Sequence, residues 1–231
     1  MSEQGRKIEA TIVNGLYDSI KKTSLYDLMR IERRVPLKSR GLGEIFESWH
    51  RFKVPFEPEI DLALVFRDVN KIVDDALIIA VEVKYFSGEI QGKRSKRRFS
   101  SGLGQAMSYG SMGVDGISLW HIFSETVDDD TIKRYFWAMN EVLTVFDIPL
   151  LYCSMRQKAD ANFQGCTGQS FFETTPSQMA SRTRDYFTSE KGMNRLFFPP
   201  RVQRRNTHDQ SRIRDIMKRR GALKTILKIP V

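Results

Sequence analysis

A chain of 231 residues, 41% of them hydrophobic, is long enough for one sizeable core or a core with an extension, which excludes a disordered chain. It has no run of ~18 apolar residues able to span a membrane, and its start, MSEQGRKIEA, lacks the apolar stretch of a secretory leader, so a cytoplasmic location is expected. The formal net charge of +9 favours a polyanionic partner, either nucleic acid or an acidic membrane surface.

Residues 6–34 carry Ile8, Ile12, Leu16 and Ile20, then Leu25, Leu28, Met29 and Ile31, at helical spacing. A break near Thr23-Ser24 predicts the start of a second helix. After Pro36, RGLGEIFESWHRF sets Leu42, Ile45, Phe46, Trp49 and Phe52 on one stripe, the pattern of a short amphipathic helix. FKVPF (52–56), IDLALVF (60–66) and ALIIAVEVKYF (76–86) read as three strands, the last two joined by a hairpin connection. Both faces of those two strands are apolar, which requires a covering layer on each side of the sheet. GLGQAMSYGS predicts a helix, ISLWHIF (117–123) a strand, residues 130–146 a helix and IPLLYCS (148–154) a strand. Beyond about residue 156 the chain turns polar, with a helix expected at 176–191 and a basic helix starting near Asp209. There is no internal repeat. Cys153 and Cys166 are too few for a disulfide framework, and with only His50, His121 and His208 beside them there is no zinc-ligand spacing.

The two most apolar strands nevertheless carry Asp61, Glu82 and Lys84. An unpaired buried charge costs several kcal/mol, so these groups must be paired, bound to metal or open to water. Side chains alternate along a strand, which puts Glu82 and Lys84 on the face of Ala80 and Ile78, and Asp61 on that of Ala63 and Val65. A hairpin closing symmetrically about residues 71 and 72 sets Asp61 opposite Glu82 and Ala63 opposite Ala80. Directly opposed Cβ atoms stand roughly 4.5 to 5.5 Å apart, close enough for both carboxylates to hold one ion. Hard divalent cations such as Mg²⁺ relieve the repulsion of such a pair, and a water polarised by the ion is a ready nucleophile. Lys84, on the same face, is suited to hold that water or to stabilise negative charge in a transition state. A phosphodiester hydrolase is the expected chemistry.

The order Asp61, a gap, then Glu82-Val83-Lys84 on the next strand resembles the PD-(D/E)xK nuclease superfamily, which includes archaeal Holliday-junction resolvases and RecB-type nuclease domains. The resemblance covers roughly residues 38–155 and implies an α/β fold. That fold has a restriction-endonuclease-like αβββαβ core, with helices flanking a mixed central sheet. N-terminal helices (1–37) would precede this core, and a basic, mainly helical extension (156–231) would follow it. It also implies Mg²⁺ or Mn²⁺ at Asp61 and Glu82, completed by an acid on the first helix, Glu47 in GEIFE or Glu44 if that helix is rotated. A glutamine on the helix after the lysine strand is frequent in the RecB-like branch, and Gln105 stands at that place with Tyr109 one turn later. The residue before Asp61 is Ile60 rather than proline, with Pro58 three positions before the aspartate. Glu57 and Glu59 alternate onto the face of Asp61 and are alternative ligands.

Other polar clusters have simpler explanations. Asp128-Asp129-Asp130 precedes a predicted helix, where acids cap amide groups and suit the dipole. Neither GLGEIF nor GLGQAM has the glycine spacing of a phosphate loop, and YGSMG lacks that of a serine-hydrolase elbow. GKRSKRRFSSG (92–102) packs Lys93, Arg94, Lys96, Arg97 and Arg98 into a loop directly after the lysine strand, suited to salt-sensitive phosphate contacts with DNA. From Arg195 to the end, eleven Lys or Arg face two Asp, so that segment alone nets +9. Two-sided cutting of a junction needs two active sites on a dyad, which implies a homodimer. The expected function is a Mg²⁺-dependent DNA endonuclease. The alternatives are a non-catalytic DNA-binding protein on the same fold and an RNA-directed nuclease.

Overall fold

A computed structural model describes residues 3–36, 59–68, 76–87, 102–158, 162–196 and 210–229. Helix α1 (Glu3–Lys22) buries Val13, Leu16 and Ile20 and leaves Ile8 exposed, so its apolar stripe is turned from the expected Ile8–Ile12 line. The second N-terminal helix expected from the spacing is instead a strand, β1 (Leu28–Pro36), antiparallel to β2 (Glu59–Arg67). Its pairing jumps from Leu28↔Phe66 to Arg30↔Val65, so Met29 is an extra bulged residue. That insertion breaks the two-residue alternation and leaves Leu28, Met29 and Ile31 at spacings that mimic a helix.

Strands β2 and β3 (Ala76–Phe86) pair antiparallel with Ala63 opposite Ala80, the register expected from the hairpin. Helix α2 (102–108), tightening into a 3₁₀ turn at Tyr109–Met112, crosses over to β4 (Gly116–Phe123), parallel to β3. Helix α3 (Asp129–Val145) makes the next crossover, to β5 (Leu151–Gln157), parallel to β4. Asp128 caps α3 as expected, its Oδ1 accepting the Thr131 N–H at 2.8 Å. β5 starts later than the apolar run IPLLYCS because the Ile148 amide is spent closing the end of α3 on Leu143 O.

Residues 156–231 are not mainly helical from their start. A hairpin of β6 (Phe163–Cys166) and β7 (Phe171–Thr174) adds to the sheet beside β5. Helices α4 (Pro176–Thr188), α5 (Glu190–Met193) and α6 (Gln210–Ile226) follow, α4 opening on a capping box between Thr175 and Gln178. The predicted helix over RGLGEIFESWHRF and the strand FKVPF lie outside the described residues. The described strands form one mixed seven-stranded sheet in the order β1 to β7, antiparallel at both ends and parallel in the middle.

Both faces of this sheet are covered, as the apolar strands require. On one face Ala63, Val65, Ile78 and Ala80 pack with Tyr109, Met139 and Leu227, from the 3₁₀ turn, α3 and the end of α6. On the other, Leu62, Leu64, Val81 and Val83 pack with Leu16 of α1 and Met179 and Phe187 of α4. No described helix is long and apolar enough to cross a membrane.

The basic helix α6 is joined to this core by an ion pair. Arg220 donates to Asp115 Oδ1 at 2.8 Å, to Gly113 O at 3.0 Å and to Ala76 O at 3.0 Å, while Asp115 Oδ2 accepts the Ile78 N–H at 2.7 Å. Both side chains are buried. Deleting one partner strands the other charge in the interior. Arg220→Ala is expected to lower the unfolding free energy by about 3 to 5 kcal/mol, read from urea denaturation.

Candidate active site

The ladder between β2 and β3 runs from Arg67↔Ala76 to Leu62↔Val81 and stops there. Beyond that point β2 continues against β1 to Glu59, and β3 continues against β4 to Phe86. Asp61 and Glu82 occupy the next place in the same register, where the two strands part. The Val83 N–H, at the end of the ladder, goes to Asp61 Oδ2 at 2.8 Å. The notch is thus a product of strand divergence, and Asp61 satisfies part of the backbone that divergence exposes.

Five ionisable side chains, Asp61, Glu82, Glu9, Lys84 and Tyr109, meet there. Lys84 Nζ lies 2.7 Å from Glu82 Oε1 and donates to Glu9 Oε1 at 3.1 Å. The Glu82 side chain is fully buried, while those of Lys84 and Glu9 are 14% and 13% exposed. Tyr109 donates its hydroxyl to Glu82 Oε2 and to Glu59 O, and Gln105 Nε2 stands 3.4 Å from the same hydroxyl. One hydroxyl proton thus faces two acceptors, which ties the Glu82 carboxyl to the β2 backbone. Gly102 closes the notch from α2. A Cβ there would come within 2.8 Å of Lys84 Cγ, so glycine is what lets α2 start against the lysine stem.

The electrostatics follow from three carboxylates sharing one ammonium. Burial, with only partial relief from Lys84, pushes Asp61 up to about 6. Glu82 is pushed well above the ordinary carboxylate range, first by burial and then by the Asp61 charge. Burial works to lower the Lys84 ammonium, but Glu82, Glu9 and Asp61 outweigh it and hold the lysine above its usual value. Burial also raises the Tyr109 phenol, with the neighbouring carboxylates adding to the effect. Lys84 is therefore a fixed positive charge, set among the described residues against three acids, two of which burial drives toward their neutral forms.

Of the residues expected from the sequence, Asp61, Glu82, Lys84 and Gln105 meet here, with Tyr109 beside them. Glu47, Glu44 and Glu57 lie outside the described residues, as do Lys93, Arg94, Lys96, Arg97 and Arg98. Glu59 turns to an ion pair with Arg34 at 2.9 Å and contributes its carbonyl, not its carboxylate, to the notch. The residue not anticipated is Glu9. It continues the buried stripe Val13, Leu16, Ile20 toward the start of α1, and an acid on that stripe is the same kind of signal as Asp61 in its strand.

Two other groups are structural. His121, beside Lys84 in the β3–β4 register, is buried and held neutral, its value lowered to about 3 by burial and by the Lys84 charge. Its Nδ1 is 3.0 Å from the Tyr152 hydroxyl. Cys153 and Cys166 are free thiols, Cys153 pushed up to about 12 by burial.

Among the described residues no three His, Cys, Asp or Glu side chains close into a group able to cage a metal. Two oxygen donors, Asp61 and Glu82, nonetheless stand at neighbouring register positions there, and buried Glu82 Oε1 has Lys84 Nζ 2.7 Å away as its charge partner. An oxygen-only pair of carboxylates suits Mg²⁺ or Mn²⁺, which bind through one or two carboxylates while keeping water and substrate ligands. The molecule is therefore an α/β protein with an acidic, lysine-bearing cluster where strands β2 and β3 part. Comparison of the chain with protein-family models, with curated proteins and with solved structures returned no match.

Because folding raises the Asp61 carboxyl, the native state takes up that proton more readily than the unfolded chain, and stability falls as pH climbs from ~4 to about 6. Asp61→Asn removes the charge and keeps an oxygen for the Val83 N–H. In chelator at pH 7.5 the variant is expected to be more stable by about 1 to 2 kcal/mol, a figure reduced for the solvent the side chain still meets. Thermal melts should show the gain fading as pH falls through about 6.

Proposed function

We propose that this chain is a divalent-cation-dependent DNA endonuclease of the PD-(D/E)xK type, hydrolysing phosphodiester bonds. The observation that carries this reading is the meeting of Asp61, Glu82 and Lys84 at the point where β2 and β3 diverge, with Ala63 opposite Ala80 beneath them. The element order supports it further. Among the described elements a helix, three antiparallel strands, a crossover helix and a parallel strand follow one another from α1 to β4, an order consistent with an αβββαβ core beginning at residue 3. On that alignment the first-helix acid is Glu9.

Asp61 and Glu82 would hold Mg²⁺ or Mn²⁺, with Glu9 as the neighbouring acid. A cation bound there supplies Lewis acidity toward a phosphate oxygen. Tyr109 and Gln105 hold the Glu82 carboxyl in one orientation. Lys84, fixed by Glu82 and Glu9, donates a hydrogen bond to the attacking water or to the charge that builds on the phosphate. The +9 net charge, the basic run 93–98 and the basic C-terminal segment supply sequence-independent attraction for DNA. A single active site acts on one strand, so two-strand cutting of branched DNA calls for a homodimer.

Purified protein with Mg²⁺ or Mn²⁺ is expected to cut DNA from a panel of branched, nicked and linear substrates. Asp61→Ala and Glu82→Ala should each lower the cleavage rate by about a thousandfold or more while leaving DNA binding within about threefold. Mg²⁺ should raise the melting temperature of the wild type and not of Asp61→Asn. Lys84 is drawn into two ion pairs and no three-acid cage closes among the described residues, which favours one second reading, a non-catalytic DNA-binding protein on the same fold. That protein would bind DNA with the same salt sensitivity, ignore Mg²⁺ and cut nothing. Matched RNA substrates decide between DNA and RNA as the target.

A further inference from the structure

Helix α3 has two sharply different sides. Ile132, Met139 and Leu143 are buried against the sheet. At about 100° per residue, Arg134, Trp137, Ala138, Glu141 and Val145 fall within one outward arc centred opposite that buried side. This arc is not the ordinary solvated face of a surface helix. Trp137 is 53% exposed and Val145 68%, and Phe146, just past the helix end, is 71% exposed, so three large apolar side chains meet solvent within ten residues. The indole is also held in place. Its Nε1 donates to Gly168 O at 3.1 Å, its ring meets Phe136 edge-on at 5.9 Å, and the absent Cβ of Gly168 makes room for it. An exposed tryptophan fixed in one rotamer by its own domain loses little entropy when a partner covers it.

We propose that this face joins two copies of the chain, with their α3 helices packed antiparallel about a twofold axis passing between positions 137 and 138. The charges select that arrangement. An antiparallel pair centred there sets Arg134 against Glu141 of the second copy, and by symmetry does so twice. The two Trp137 indoles then meet on one flank of the axis, offset by one residue, and the two Ala138 side chains meet on the other. A parallel pair would instead set Arg134 against Arg134 and Glu141 against Glu141, with like charges in contact. The partner is therefore a second copy in one orientation, and the inference stands whether or not the chain cuts DNA.

Sedimentation velocity on the full chain tests it, with circular dichroism to verify that each variant is folded. The wild type is expected at twice the 26.8 kDa chain mass. Arg134→Glu or Glu141→Arg alone brings like charges together at both contacts and should raise the dimer Kd about tenfold or more, while the double swap returns it to within about threefold of wild type. Trp137→Ala should weaken the dimer by about a hundredfold. A wild type that stays monomeric at about 100 μM overturns the proposal. So does a dimer that survives all three single changes, or a double swap as weak as its components.

Discussion

The notch is dominated by one imbalance: among the described residues three acids, Asp61, Glu82 and Glu9, share a single ammonium, Lys84, in a site where Glu82 is wholly out of water. Coulomb repulsion among acids at such distances is strong where water is sparse, and the chain relieves it only by raising the Asp61 and Glu82 carboxyls toward their neutral forms. A bound cation would relieve it better. The surrounding structure holds the imbalance in place. The rigid hairpin fixes two of the acids, α1 brings the third, Tyr109 ties Glu82 to the β2 backbone, and Gly102 lets α2 close over the lysine stem.

A second buried ionic cluster at the other end of β3 shows what a purely structural one looks like. Asp115 and Arg220 pair with each other, and both also bond to main-chain groups around the start of β3. Such a pair holds α6 to the sheet. The two clusters bracket β3, one where α6 joins its start, the other where β2 diverges from its end. Several acids drawn to one base mark a candidate site, which a paired charge bonded to main chain does not.

How much of this could be read in the chain depended on whether the information was local. Two-residue alternation is a local property, so β2, β3, their register and the shared face of Asp61, Glu82 and Lys84 were legible. The Asp128 cap and the helices α3 and α4 were legible for the same reason. β1 was hidden by its bulge at Met29, which shifts the alternation by one residue and leaves a helix-like spacing. Glu9 was hidden by the phase of α1: a stripe drawn through Ile8 and Ile12 leaves the acid beside it, whereas the buried line through Val13, Leu16 and Ile20 includes it. β6 and β7, four residues each, hold together through a cross-strand device. Gly165 pairs with Phe172, whose ring covers the space a side chain would take, and no single segment displays that.

The edges of the sheet bear on how two copies would meet. Strand addition is the simplest way for a sheet protein to associate, and both outer strands of the described sheet discourage it. On β1, Arg30 pairs with Glu32, Arg34 with Glu59, and Arg33 lies over the Tyr17 ring at 4.6 Å, so the rim bristles with charge. β7 is only four residues long. Neither edge offers the long, flat, apolar template that strand pairing needs. The exposed apolar side chains lie instead on and just past α3, across a layer from the sheet and carried by a helix that packs on β5 and β6. A helix face with fixed aromatic and charged groups discriminates orientation, which an open strand edge does not, and this points to α3 as the means of association.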